Sequence, residues 1–122
     1  MKYFIAEDII EIIKTARIRE IGIRRDLWEP FLRRGWFPGT FHVEPESGGR
    51  NVGYISKDDL LDILRVSRYG ADGGSDVKRL QADRLHKYTS KYSDSAFDAL
   101  IEAIEQAEPT RVLPAGAKEG WR

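Results

Sequence analysis

Ile5, Ile9, Ile12, Ile13 and Ala16 recur at the spacing of one face of an α-helix, and this period outweighs the strand preference of isoleucine. Glu7 and Asp8 put negative charge where a helix N-terminus favours it. The pattern therefore predicts a helix over Ala6 to Ala16. After the basic turn Arg17 to Ile23, Asp26 can cap a second helix that ends at Gly35, where glycine readily takes a left-handed conformation. Pro30 holds the start near Asp26, because proline deeper in a helix loses a backbone bond and clashes with the carbonyl four residues earlier. On that helix Leu27, Phe31 and Leu32 face inward, and Arg33 and Arg34 complement the dipole of the last turn.

The period then changes. Thr40 to Val43 and Val52 to Ile55 are short β-prone runs on either side of Glu44 to Asn51, which holds Pro45, Ser47, Gly48 and Gly49. This is the signature of a hairpin with a polar, projecting tip. Ser56 and Asp59 form a capping box, and Ile55 and Leu60 stand where a hydrophobic staple requires them. A third helix is predicted to begin within two residues of Lys57, to bury Leu60, Leu61 and Leu64, and to stop at Gly70. Asp72 to Gly74 form a linker, after which Ser75 caps a helix with Val77, Leu80, Leu85, Tyr88 and Tyr92 near one face. Ser95 and Asp98 repeat the capping-box pattern ahead of Phe97, Leu100, Ile101 and Ile104, and Pro109 ends that helix. These last two helices are expected to pack as a hairpin. Arg111 to Arg122 has no periodicity and three breakers, Pro114, Gly116 and Gly120, so it is expected to be a mobile tail. No internal repeat or low-complexity tract interrupts the series.

Composition narrows what these elements can do. The 122 residues, 41% hydrophobic and 33% charged, describe an ordinary globular chain of the size of one domain. Cysteine is absent, which excludes disulfides and thiolate zinc sites, and His42 and His86 are too few to anchor a metal. Acidic residues break the apolar run of the first fourteen positions, so it lacks the form of a signal peptide or membrane span, and a cytoplasmic location is expected. Twenty basic and twenty acidic residues cancel, which argues against a nonspecific nucleic-acid coat. Their distribution is uneven. Lys14 to Arg34 holds seven bases against three acids, whereas Asp94 to Glu108 holds five acids and no base, so the two regions are expected to carry opposite fields.

The series of helix, basic turn, helix closed by Gly35-Trp36-Phe37-Pro38, hairpin, and then Tyr54-Ile55-Ser56-Lys57-Asp58-Asp59-Leu60 resembles the excisionase and AlpA-like winged helix-turn-helix proteins, relatives of the MerR regulators. The resemblance covers about half the chain and implies a winged helix-turn-helix module over residues 1–70; with the helical hairpin over 71–108, packed on or hinged to it, and the flexible tail over 109–122 read from the residue pattern, a mainly α fold with a small β-hairpin is expected. The resemblance also implies sequence-specific binding of double-stranded DNA, with the second helix in the major groove and the hairpin tip on neighbouring backbone or minor groove. Arg24, Arg25, Trp28 and Glu29 on the helix and Ser47, Arg50 and Asn51 on the wing match the family's contact positions. The basic cluster adds Arg17, Arg19 and Arg33 as phosphate partners.

No nucleophile, base and orienting group can be assembled by spacing, so an enzyme is not expected, and no cofactor is implied. Glu44 with Glu46 and Asp58 with Asp59 read as surface and capping carboxylates, since adjacent helical carboxylates point apart. Trp36 and Phe37 read as core, and His42 as a structural histidine. The leading expectation is a transcriptional regulator or recombination directionality factor of the kind carried by phages and mobile elements. Its C-terminal helices would self-associate or meet a protein partner. The alternative is a small phage-type protein that binds and inhibits or adapts a host protein, favoured by the zero net charge, the acidic last helix and Pro30 inside the second.

Overall fold

The computed structural model describes residues 1–18, 28, 32, 40–43, 52–69, 85–87 and 89–119. Helix α1 (Ala6–Thr15) buries Ile9 and Ile13 of the predicted face together with Ala6, leaves Ile5 and Ile12 half-buried, and ends one residue early, with Ala16 exposed as its C-cap. Its start is held by Asp8, whose Oδ2 accepts from the backbone N–H of Ile5 at 2.9 Å. Its end is a two-bond left-handed cap: Arg17 N–H donates to Lys14 O at 3.2 Å and Ile18 N–H to Ile13 O at 3.4 Å. That motif places Arg17 at φ 55° and brings the buried Ile18 onto Ile13.

Strands β1 (Phe41–Val43) and β2 (Val52–Tyr54) pair antiparallel, with Phe41 opposite Tyr54 and Val43 opposite Val52. Both runs read as strands from sequence are thus present, each one residue shorter than expected. Ile55 leaves the hairpin to pair with Phe4, exchanging backbone bonds of 2.8 and 3.0 Å. The hairpin tip, 44–51, lies outside the described residues. Gly53 is glycine for a steric reason: a Cβ there would stand 2.2 Å from the carbonyl oxygen of Leu32. Leu32 and Trp28 are both helical and each 1% exposed, as the predicted second helix requires of Leu32; Leu27, Phe31 and Gly35 lie outside the described residues.

The segment expected to be a mobile tail is tied down at two places. Arg111 exchanges backbone bonds of 2.8 and 3.1 Å with Tyr3, and strand β3 (Lys118–Glu119) pairs antiparallel with β1. A turn in which Ala117 N–H donates to Pro114 O makes this return possible, with Gly116 at φ 85°. The sheet order is β2-β1-β3, three strands where the sequence shows only a hairpin. Tail sequence without periodicity can still supply backbone bonds to an edge that lacks them.

Helix α2 (Lys57–Tyr69) starts where expected. The Asp59 N–H donates to Ser56 Oγ at 3.2 Å, and that hydroxyl donates to Asp59 Oδ2 at 2.8 Å. Helix α3 (Asp94–Gln106) is capped by Ser93, two residues before the expected Ser95. Ser93 has the extended backbone of a cap and its Oγ accepts from Ala96 N–H at 3.2 Å, which leaves Asp94 in the first turn where a carboxylate is favoured. Leu85 to Lys87 and Thr89 are helical, but Tyr92 falls in a turn beyond them rather than on their face. Ser75, Val77, Leu80 and Tyr88 lie outside the described residues.

α3 packs against both α1 and α2 rather than against its sequence neighbour alone. Phe4, Ile9, Leu60, Leu64, Phe97, Leu100 and Ile104 meet in one buried cluster with Trp28, Leu32 and Leu85. The chain is mainly α with a small antiparallel sheet. Leu100→Ala is expected to cost about 2–5 kcal/mol, because its side chain is wholly buried; denaturant unfolding measures this. Gly53→Ala is expected to cost about 1–3 kcal/mol and to change tryptophan fluorescence, since the Leu32 backbone must move away. An unshifted unfolding midpoint would show that the strand and the helix are not in contact.

Candidate nucleic-acid interface

Of the ten positions assigned to DNA from sequence, two lie among the described residues, and the structure treats them differently. Arg17 is exposed at the end of α1. It occupies the left-handed position of the helix cap, where a side-chain-bearing residue costs roughly 1–2 kcal/mol and glycine does not. Trp28 is a correction: at 1% exposure its ring belongs to the core and cannot meet a duplex. Its Nε1, like Thr40 Oγ1, is buried without a hydrogen-bond partner among the described residues, and its indole fills space beside Leu32 where apolar burial outweighs that donor. Arg19, Arg24, Arg25, Glu29, Arg33, Ser47, Arg50 and Asn51 lie outside the described residues.

The acidic run of the last helix does not stand as an open field. Arg68 pairs with Asp94 at 2.7 Å, donates to Thr89 O, and lies 5.5 Å from the Phe97 ring. Arg65 pairs with Glu105. Lys57 Nζ donates to the carbonyl of Glu105 at 3.0 Å and stands 3.7 Å from Glu108. The last turn of α3 carries no base of its own, so Lys57 supplies from α2 the positive charge that a helix C-terminus favours. Asp94, Glu105 and Glu108 therefore all have cationic partners on α2.

A further pair went unread in the sequence because its members are far apart in the chain. Arg111 donates from Nε and Nη2 to the two carboxylate oxygens of Asp8, at 3.2 and 3.0 Å. Hydrogen bonding to Asp8, then attraction to its charge, raises the Arg111 guanidinium above its ordinary value. Asp8 thus caps α1 and anchors the C-terminal segment together. Only its position near a helix start was visible locally.

Set against known protein families, curated proteins and solved structures, the chain matches none. Among the described residues no group of three His, Asp or Glu side chains is placed to hold a metal. No helix among them is long and apolar enough to cross a membrane.

Arg17→Gly is expected to raise stability by about 0.5–1 kcal/mol, because it removes the left-handed strain and gives back only part of the gain through a freer unfolded chain. Thermal unfolding monitored by circular dichroism checks it. A destabilised Arg17→Gly would mean that the side chain itself supports the fold.

Proposed function

We propose that the chain is a sequence-specific DNA-binding protein of the winged helix-turn-helix kind, serving a mobile element as transcriptional regulator or recombination directionality factor. It binds double-stranded DNA through Arg17, Arg19, Arg24, Arg25, Glu29 and Arg33 on the basic stretch and through Ser47, Arg50 and Asn51 at the hairpin tip. Trp28 is withdrawn from that set because it is buried. The role is one of binding, with no catalytic step and no cofactor.

The observation that carries this proposal is Arg17, an exposed arginine held in a left-handed conformation at the head of the basic stretch. A helix cap of this kind favours glycine at that position, and an arginine kept there instead supports a role for its side chain in binding. A second feature supports it. The close approach of Gly53 to the Leu32 backbone ties the hairpin to the helical residues beside it, and a winged binder needs helix and wing in fixed relation to reach the duplex together.

Electrophoretic shift of a double-stranded oligonucleotide over a salt series tests the proposal. Arg24→Ala with Arg25→Ala is expected to weaken binding and to flatten its salt dependence by about one slope unit per lost phosphate contact. Arg17→Gly should weaken binding while the fold gains stability, a combination that a purely structural arginine does not produce. Arg50→Ala should act separately, since tip and helix meet different parts of a duplex. If all of these variants bind as the parent does, on selected and random sequence alike, the proposal fails.

A further inference from the structure

α1 and α3 pack side by side and leave between them a groove of about 470 Å³ that opens to solvent. Apolar residues, Phe4, Ile12, Ala103 and Ala107, form its floor, all of them buried or half-buried. Among the described residues its charged lining is Asp8, Glu11 and Glu108, with no lysine or arginine. Asp8 is committed to Arg111 and to the start of α1. Glu108 lies 3.7 Å from Lys57 with its side chain 86% exposed, and Glu11 is exposed on the outer face of α1, so both carboxylates can meet a cation arriving from outside.

We infer that this groove receives an amphipathic helix of a protein partner, with apolar side chains seated on Phe4, Ile12 and the two alanines and with Lys or Arg flanking them against Glu11 and Glu108. Geometry and charge select that occupant. Ile12 stands in the last turns of α1 and Ala103 in the last turn of α3, with the cap residues Ala16 and Ala107 just beyond them. The side chains of a third helix can seat between these two helix ends. The alanines keep the α3 wall low, so the incoming helix can approach closely. The carboxylates oppose a phosphate backbone or an anionic bilayer and attract basic side chains. Arg17, the one described residue still proposed for DNA, does not line the groove.

The test uses the full chain and a synthetic helical peptide of about 18 residues, long enough to form an isolated helix, with leucines at i, i+4 and i+7 flanked by lysine. A second peptide carries glutamate in place of every lysine. The lysine peptide is expected to bind at least about tenfold more tightly than the glutamate peptide, with amide shifts confined to α1, α3 and Phe4. Glu11→Lys should weaken binding of the lysine peptide about two- to fivefold, and Ala103→Leu, which fills the groove, should abolish it. Should Ala103→Leu fail to fold, Glu11→Lys decides, because its side chain is exposed. Equal binding of the two peptides, no binding of either, shifts mapping elsewhere, or unchanged affinity in Glu11→Lys overturns the inference. Self-association through the groove, seen as concentration-dependent sedimentation without peptide, overturns it as well.

Discussion

Two adjacent residues near the chain start hold the described structure together. Phe4 pairs through its backbone with Ile55 at the end of β2, and Tyr3 pairs with Arg111 beyond α3. Each pairing uses both backbone groups of its residues, worth about 0.5–1.5 kcal/mol per bond. The larger consequence is positional. With its backbone fixed, Phe4 is 2% exposed and inserts its ring among α1, α2 and α3, while Tyr3 sets its ring edge-on to Phe41, 5.7 Å away on the central strand. Asp8, bonded both to the Ile5 N–H and to Arg111, locks the same junction from the side. The sheet, α1 and the C-terminal segment are in this way joined before any helix packing is considered.

Charge is arranged to complement that junction. The bases of α2 turn toward the acids of α3, and Arg68 serves as a centre, bonding Asp94 and the Thr89 carbonyl over the ring of Phe97. Exposed pairs of this kind contribute little each. Arg68 is the exception in placement, its side chain being only 11% exposed. What these pairs change is the field. Asp94, Glu105 and Glu108 of the acidic run are met by bases of α2, while Glu11 and Glu108 remain exposed at the α1–α3 groove. Arg17 is exposed at the end of α1, and the carboxylate-lined groove lies between α1 and α3.

How far the sequence determined this protein depends on the reach of each signal. Local signals were legible. The isoleucine period of α1, the Ser56–Asp59 cap, the staple of Ile55 and Leu60, and the two β-prone runs all involve partners a few residues apart, and each appears in the structure. The cap of α3 was displaced by two residues because Ser95 and Asp98 have capping-box spacing while Ser93 has Ala96 at that position, yet backbone geometry makes Ser93 the cap. Trp28 was ambiguous: an aromatic at a helical position suits a core or a surface, and only packing beside Leu32 made it core. The rest needed partners from distant parts of the chain. Neither the bond from Arg111 to Asp8, across 103 positions, nor the pairing of Lys118–Glu119 with β1 leaves a periodic trace, because a salt bridge or an added strand requires only that two groups arrive at one place. The groove likewise depends on how α1 and α3 are set against each other. Element identity was set by short-range chemistry in the sequence; which surfaces face outward, and with what charge, was decided by tertiary packing, since burial and pairing belong to positions in space rather than to positions in the chain.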